Sequence, residues 1–312
     1  MFNLTDPIYS DKDKAREALE ALLWPNGPAC PHCGNADPGH ITLLKGKSTR
    51  PGVRWCNECG KPFTVTVGTI FEDSKVPLNK WLLAFRLMAS SKKGMSAHQL
   101  HRSLGVTYKT AWFMAHRIRE SMMPDGSFGP LGGENKVVEV DESYVGGKAK
   151  NRAHAKTPPK KHAVVALVER EGKVRSFHVA NVTAKTLRPI IVQTASRKSH
   201  LMTDESTLYP KLGREFAGHS AVNHSANEYV RLGGFAHTNT VEGYFSMLKR
   251  GIYGVYHHVS EAHLRRYLAE FDFRHNTRTA LGVTNTERTN AALLGTVGKR
   301  LTCRRTDEAR HT

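Results

Sequence analysis

The sequence of 312 residues lacks any apolar run approaching the roughly 18 residues that a membrane-spanning helix requires. Its first residues, MFNLTDPIYSDKDK, also lack the basic stretch followed by an apolar one that marks a secretory signal. These two absences exclude an integral membrane protein and favour a soluble protein of the cytoplasm. With 39% hydrophobic residues, the chain nevertheless has enough apolar side chains for at least one sizeable core.

Acidic residues are scarce relative to basic ones. The chain has 28 Asp and Glu against 46 Lys and Arg, which gives a formal net charge of +18. An excess this large favours a polyanionic partner, either nucleic acid or an anionic membrane surface. The basic residues are spread along the whole chain and are not confined to one amphipathic helix, so we expect the partner to be nucleic acid.

Cysteine is also scarce, but its arrangement is informative. Of the five cysteines, Cys30 pairs with Cys33 and Cys56 with Cys59 in two Cys-x-x-Cys motifs, while Cys303 stands alone. In a chain without an export signal, such pairs indicate a metal site and not a disulfide framework. Zinc takes four ligands in a tetrahedron, and four thiolates leave no position for a reactive water. We therefore predict a zinc ribbon that holds a structural Zn²⁺ ion.

Two helical segments are predicted after the ribbon. Ser96 is expected to cap the first helix, Gly105 to provide a turn, and Thr107 to begin the second helix. In a helix-turn-helix, the N-terminal residues of the second helix enter the major groove of DNA. We therefore predict that Thr107, Tyr108 and Lys109 contact DNA, although an ordinary helical connector gives the same pattern.

Three acidic residues occupy distinctive positions in the C-terminal half. Asp141 ends a β-prone run, which is followed by a predicted hairpin of two strands and then by a helix. Asp204 ends a further short strand, and Glu242 lies in the first turn of a later helix. An acid on the first strand, on the fourth strand and on a later helix is the arrangement of RNase H-like nucleases and transposases.

The motifs around these acids make the resemblance specific. The segments VDESYVGGK, LMTDES and HTNTVEGYFSMLKRGIYGVYHHVS are similar to those of bacterial insertion-sequence transposases with an ISXO-type DDE domain, which typically carry an N-terminal zinc ribbon. The resemblance extends from about Trp24 to Thr289. It implies an α/β chain in which an RNase H-like catalytic domain with a mixed sheet follows a zinc ribbon and a helix-turn-helix domain.

The activity implied by the resemblance is DNA transposition. One centre would cleave the ends of the insertion sequence and then join the freed 3′-OH ends to target DNA. Displacements of this kind at phosphorus use two divalent ions, and Mg²⁺ or Mn²⁺ prefers carboxylate ligands. Asp141, Asp204 and Glu242 are therefore expected to hold the ions.

The expected partners are the terminal inverted repeats of the element and the target DNA. Because concerted joining of two ends needs two active sites close together, we expect a homodimer on DNA. The DNA substrate and the family together suggest a cytoplasmic protein associated with the bacterial nucleoid.

The third metal ligand has more than one candidate, because relatives differ at this position. His237, Asn239 and Glu242 are the candidates; Glu242 is favoured as the only carboxylate, and Asn239 is expected to act as an auxiliary ligand or helix cap. Lys249 lies two helical turns beyond Glu242 on the same helix face, and we expect it to contact a phosphate near the scissile bond. Arg250, the next residue, is also predicted to bind DNA.

Two other acids, Glu142 and Glu205, directly follow the two aspartates. In an extended strand, neighbouring side chains point to opposite faces, so these two are expected to point away from the metal ions. The basic segment from Lys148 to Lys161 is expected to form an exposed loop, either in contact with phosphates or simply solvated.

Turn-forming residues suggest where the domains begin and end. The predicted domains are residues 1–71 (lead-in helix and zinc ribbon), 72–130 (helix-turn-helix region and linker), 131–290 (RNase H-like DDE catalytic domain) and 291–312 (basic tail). The sequence leaves two other functions open: an RNase H-like nuclease that cuts DNA without joining it, and a non-catalytic zinc-ribbon regulator that binds DNA.

Overall fold

The structure is a computed structural model that describes residues 4–126, 129–147, 160–226, 228 and 230–302. Most of the predicted basic loop, residues 148–159, lies outside the described residues, as does Cys303. Within the described residues, no helix combines the length and the apolar character needed to cross a membrane.

Strands and helices are numbered in chain order. The described strands are β1 (Ile41–Leu43), β2 (Arg54–Cys56), β3 (Lys61–Phe63), β4 (Val137–Gly146), β5 (Lys161–Glu169), β6 (Val174–Val179), β7 (His200–Thr203) and β8 (Gly218–Ala221). The described α-helices are α1 (Lys12–Leu23), α2 (Leu78–Ser90), α3 (Ala97–Leu104), α4 (Tyr108–Ser121), α5 (Ala184–Thr194), α6 (Pro210–Gly213), α7 (Asn239–Gly251), α8 (Glu261–Asn276) and α9 (Asn285–Leu294).

The chain forms two compact units. The first combines Met1–Ser91, Met95–Met123 and Thr284–Thr312, and the second combines Lys92–Gly94 with Pro124–Val283. Helix α9 thus belongs to the first unit, where it packs against α2. The domain limits suggested by the sequence at residues 71, 130 and 290 stay predictions.

In the first unit, β1, β2 and β3 form a small antiparallel sheet. Helices α3 and α4 begin where polar side chains accept the unpaired backbone N–H groups of the first turn. Ser96 and Gln99 cap α3 reciprocally, and the side chain of Thr107 accepts a hydrogen bond from Thr110 N at the start of α4. Between the two helices Gly105 adopts a left-handed conformation with φ 58°, which favours glycine. The helices therefore form as the sequence predicts, while their binding of DNA stays a prediction.

The second unit is built on a five-stranded mixed sheet with the order β6-β5-β4-β7-β8. The β4–β5 and β5–β6 pairs are antiparallel, whereas β7 is parallel to both β4 and β8. The predicted order of strand, hairpin, helix, strand and later helix is therefore present as β4, β5–β6, α5, β7 and α7. The mixed α/β sheet predicted for this part of the chain is confirmed.

Both faces of this sheet are covered by apolar side chains. On one face, strand residues such as Val164 pack with Leu248 of α7 and Phe271 of α8. On the other face, Val140 and Leu167 pack in a cluster that also includes α5. Helix α7 is thus held on the sheet by its buried side, which fixes the direction of its polar side.

Replacement of Leu248, which is fully buried, by alanine should lower the free energy of unfolding by about 2–5 kcal/mol, because the lost contacts leave a cavity against the sheet. Urea denaturation measures the change. Leu232→Ala is the matched control in the same unit: its side chain is 61% exposed, and we expect a change within about 0.5 kcal/mol. Equal effects of the two substitutions would contradict the assignment of α7 to the core.

Candidate functional site

The four paired cysteines meet in the ribbon. Their sulfur atoms all lie within 4.8 Å of one another. Cys30 Sγ is 3.7 Å from Cys59 Sγ, and Cys33 Sγ is 3.7 Å from Cys56 Sγ. Tetrahedral zinc with Zn–S bonds of about 2.3 Å separates its sulfur ligands by about 3.8 Å. The spacing fits a Zn²⁺ ion held by four thiolates and is far too long for disulfide bonds.

Glycine residues let both pairs of cysteines face one point. Gly34 and Gly60 follow the second cysteine of each pair with φ values of 80° and 64°, where a side chain is disfavoured. Gly34 N donates to Cys30 O at 2.9 Å, and Gly60 N donates to Cys56 O at the same distance. Each turn is therefore closed by a hydrogen bond to the first cysteine of its pair, and all four sulfurs face the same point.

In the second unit, the pairing of β4 with β7 places two acids next to each other. Glu139 of β4 is paired with Met202 of the parallel strand β7. Two residues further along each strand stand Asp141 and Asp204. Asp141 lies within β4, which continues to Gly146 against β5, and not at the end of a strand as the sequence indicated. Because β7 ends one residue before Asp204, that edge of β4 is open beside Asp141.

Glu142 adds a third carboxylate to the two aspartates. Asp141, Glu142 and Asp204 each offer a carboxylate oxygen, and these oxygens lie within 4.8 Å of one another. Burial raises the pKa of Glu142 to about 7, and the charges of Asp141 and Asp204 raise it too, although a hydrogen bond from the buried Tyr209 hydroxyl opposes them. Mg²⁺ and Mn²⁺ favour carboxylate donors, so the group fits such ions.

The two acids that were expected to point away behave differently. Glu205 is exposed and accepts a hydrogen bond from Ser225 Oγ at 2.6 Å. The carboxyl of Glu142 instead lies beside those of Asp141 and Asp204, and the hydroxyl of Tyr209 donates a hydrogen bond to it. Alternation along the strand does not predict this, because the contact depends on a residue distant in sequence, and we find no sequence signal that could have indicated Tyr209.

Helix α7 brings further predicted residues to the same place. A cavity of about 600 Å³ is lined by Asp141, Glu142, Ser143, Glu242, Phe245, Ser246, Lys249, Arg250 and Tyr253. Glu242 and Lys249 share it because a separation of seven residues returns to the same side of a helix. Asn239 is the exposed first residue of α7, and the described lining of the cavity does not include it. The cavity thus combines carboxylates with two cationic side chains, an arrangement that suits a divalent ion beside a phosphate.

A second group of possible ligands lies elsewhere on the sheet. His162, His178 and Glu261 also bring ligand atoms within 4.8 Å of one another. However, Lys160 Nζ lies 2.5 Å from Glu261 Oε2, so this carboxylate already has a cationic partner. The ion pair accounts for this group without a metal ion.

The residues predicted to contact DNA stand at the start of α4. Thr107, Tyr108 and Lys109 are all exposed. The ring of Tyr108 stacks on that of His98 of α3, with 4.4 Å between the ring centroids. The tip of α4 is therefore accessible to a large ligand, and its contact with DNA stays a prediction.

Comparison with known proteins identifies the family. The profile of the ISXO2-like transposase domain matches residues 130–276, and that of the transposase zinc-ribbon domain matches residues 10–62. Residues 130–276 thus form a domain of the ISXO2-like transposase family, and residues 10–62 form a transposase zinc ribbon. A protein of Halobacterium salinarum described as an uncharacterized protein in transposable element ISH50 is 29% identical to it over 285 residues, which cover 85% of this chain and 91% of that protein.

The family confirms the resemblance seen in the sequence and the predicted fold class. The mixed sheet and helices from β4 to α8 lie inside the matched transposase domain, which implies the RNase H-like fold. The four cysteines lie inside the matched ribbon, which supports a structural zinc ion. Both matched domains support DNA as the partner of this transposase. Helices α3 and α4 lie outside both matches.

Cys56→Ser should remove the structural zinc and unfold the ribbon, because three thiolates bind the ion more weakly and the small β1–β3 sheet has few buried apolar residues of its own. Zinc content of the purified chain, measured by inductively coupled plasma mass spectrometry, should fall from about one ion per chain to nearly none. Cys303→Ser, the matched control, should retain zinc. A zinc content unchanged in Cys56→Ser would refute the four-thiolate site.

Proposed function

We propose that this protein is a transposase that cleaves the ends of an insertion sequence and joins the resulting 3′-OH ends to target DNA. The reaction would take place in the cavity lined by Asp141, Glu142 and Glu242. One observation carries the proposal: in a transposase-family domain, Asp141 of β4 meets Asp204, which directly follows the parallel strand β7, and α7 adds Glu242 and Lys249 to the cavity at Asp141. The acids come from three separate elements of the fold, which is unlike a random surface cluster of charge.

Asp141, Asp204 and Glu242 are the proposed ligands of two Mg²⁺ or Mn²⁺ ions, and Glu142 supplies a further carboxylate beside them. When bound, such ions activate the attacking oxygen and stabilise the charge on the leaving oxygen. The oxygens of Asp141, Glu142 and Asp204 already lie within 4.8 Å of one another, so little rearrangement is needed before the ions bind. Asn239, at the start of α7, is retained as an auxiliary ligand or helix cap.

Lys249 and Arg250 are proposed to bind the DNA backbone beside the scissile phosphate. Both line the cavity on the side provided by α7. Arg250 Nη2 donates to Ser246 Oγ at 2.9 Å, which holds the guanidinium at the cavity. Their positive charges attract phosphate and orient the strand for in-line displacement.

The first unit is proposed to recognise the ends of the element. The exposed tip of α4, with Thr107, Tyr108 and Lys109, would enter the major groove as the second helix of a helix-turn-helix. The zinc ribbon would add phosphate contacts. In this scheme residues 1–71 and 72–130 bind the terminal inverted repeats, residues 131–290 carry out the chemistry on those ends and on target DNA, and residues 291–312 form a basic tail. A homodimer on DNA would provide the two active sites that paired ends require.

Asp141→Ala should lower strand-transfer activity by at least about 100-fold, because loss of ion binding removes about 3 kcal/mol or more of transition-state stabilisation. The assay uses purified, zinc-loaded protein, Mg²⁺ and DNA that carries the ends flanking its own gene. Glu134→Ala, an exposed acid of the same unit, is the control and should keep wild-type activity. Nicking without joined products in the wild type would favour a plain nuclease, and DNA binding without any metal-dependent cutting would favour a regulator.

Lys109→Ala should weaken binding to the terminal repeats and reduce the slope of log K against log salt concentration by about one, as expected for a lost phosphate contact. Fluorescence anisotropy at several salt concentrations measures both quantities. Lys12→Ala, an exposed lysine of α1 in the same unit, should change neither the affinity nor the slope. Identical behaviour of the two variants would argue against α4 as the DNA-reading helix.

A further inference from the structure

A buried carboxylate outside the cavity contacts the helix that carries Glu242. The side chain of Glu139 on β4 is 0% exposed, and it stands two residues before Asp141 on the same strand. Its Oε2 atom accepts hydrogen bonds from the backbone N–H groups of Thr240 at 2.8 Å and Val241 at 3.0 Å. These two residues belong to the first turn of α7, immediately before Glu242.

Glu139 therefore caps α7 from outside the helix. The first N–H groups of a helix lack partners within it, and a side chain of the N-cap residue commonly accepts them. In the described structure the N-cap residue Thr238 makes no such bond and instead donates its hydroxyl to Glu242 Oε1 at 2.9 Å. The negative charge of Glu139 is also favourable at this end of the helix because the helix dipole is positive there.

Arg170 completes the contact and ties down the segment before the helix. Its Nε donates to Glu139 Oε1 at 2.6 Å, while Nη1 and Nη2 donate to the carbonyl oxygens of Phe235 and His237, each at 2.8 Å. Thr240 Oγ1 donates to the same Oε1 atom at 2.9 Å. A buried carboxylate can stay ionised when it is paired with a cation and fully hydrogen-bonded. Glu139 meets both conditions and links β4 to Arg170, just after β5, and to α7.

We propose that Glu139, held by Arg170, is a positioning residue that sets the start of α7 and thereby the place of Glu242 relative to Asp141. The inference rests on the proposed function, because it acts through Glu242 as a metal ligand. Both carboxylate oxygens of Glu139 already accept two hydrogen bonds each from α7 and Arg170, so it takes no part as a ligand. Without the cap, the first turn of α7 loses its anchor to β4, and Glu242 is the first acidic side chain to move.

The test measures the affinity of the full-length, zinc-loaded protein for Mn²⁺ by electron paramagnetic resonance titration without DNA. We expect Glu139→Gln to weaken Mn²⁺ binding by about tenfold, as replacement of residues that orient ligands commonly does. Glu242→Gln alters a proposed ligand directly and should weaken Mn²⁺ binding at least as much. The double variant should bind Mn²⁺ no more weakly than Glu242→Gln alone, because Glu139 acts only through Glu242. Multiplied losses in the double variant would overturn the proposal.

Glu270→Gln is the matched control. Glu270 is also 0% exposed in the same unit and pairs with an arginine, Arg274, but it lies on α8. Both Glu139→Gln and Glu270→Gln should lower the thermal unfolding midpoint, since each removes the buried anionic partner of an arginine. Only Glu139→Gln should weaken Mn²⁺ binding, and an equal weakening in Glu270→Gln would reduce the role of Glu139 to general stability.

Thr240→Val provides a milder variant in case Glu139→Gln does not fold. It removes the 2.9 Å bond to Glu139 Oε1 and leaves the buried charges paired, so we expect Mn²⁺ affinity to fall by about two- to tenfold, as for one hydrogen bond. Wild-type affinity in a folded Glu139→Gln or Thr240→Val variant overturns the positioning role alone. Wild-type affinity in Glu242→Gln overturns both this role and the ligand proposed for the active site.

Discussion

The pairing of β4 with β7 in parallel is the constraint on which the candidate active site depends. In paired parallel strands, residues that follow a paired position by the same number of residues lie next to each other. Asp141 and Asp204 each stand two residues after the Glu139–Met202 pair, so they lie side by side. The antiparallel partner β5 extends much further along β4 and keeps it hydrogen-bonded beyond the point where its pairing with β7 ends. The acids thus stand at an open edge of the sheet, where divalent ions and DNA are proposed to bind.

Collecting carboxylates at one edge has an electrostatic cost, which the surroundings offset in distinct ways. Burial, and to a lesser extent repulsion by Asp141 and Asp204, raises the pKa of Glu142, while the hydroxyl of Tyr209 stabilises its charged form. Lys249 and Arg250 place positive charge in the same cavity. A bound divalent cation would reduce the remaining repulsion, because carboxylates this close together are stabilised best by a positive ion between them.

The folds of the two units are stabilised in different ways. The sheet unit buries apolar side chains on both faces, so its core alone supports it. The ribbon has only a three-stranded sheet with a small apolar cluster that includes its own cysteines, and a metal ion supplies the folding energy that such a core lacks. In the first unit, helix α9 returns from the end of the chain to pack on α2, and Arg288 donates to the carbonyl oxygen of Ala89.

Local patterns in the sequence determined the metal-binding motif of the ribbon and most of the helices and strands. The Cys-x-x-Cys spacing, the capping residue Ser96 and the turn at Gly105 act within a few residues, so the chemistry of the ribbon and the limits of α3 and α4 could be predicted from them. The order of strands and helices around Asp141 and Asp204 was predictable for the same reason, since each element has its own apolar period.

Tertiary structure alone decided which distant groups meet. The contact of Tyr209 with Glu142, the cap that Glu139 provides to α7, and the return of α9 to the first unit join residues far apart in the chain. No local period encodes such contacts, because they depend on strand register and on the packing of helices across the sheet. The sequence determined the elements and their acids, and packing decided how those acids are held.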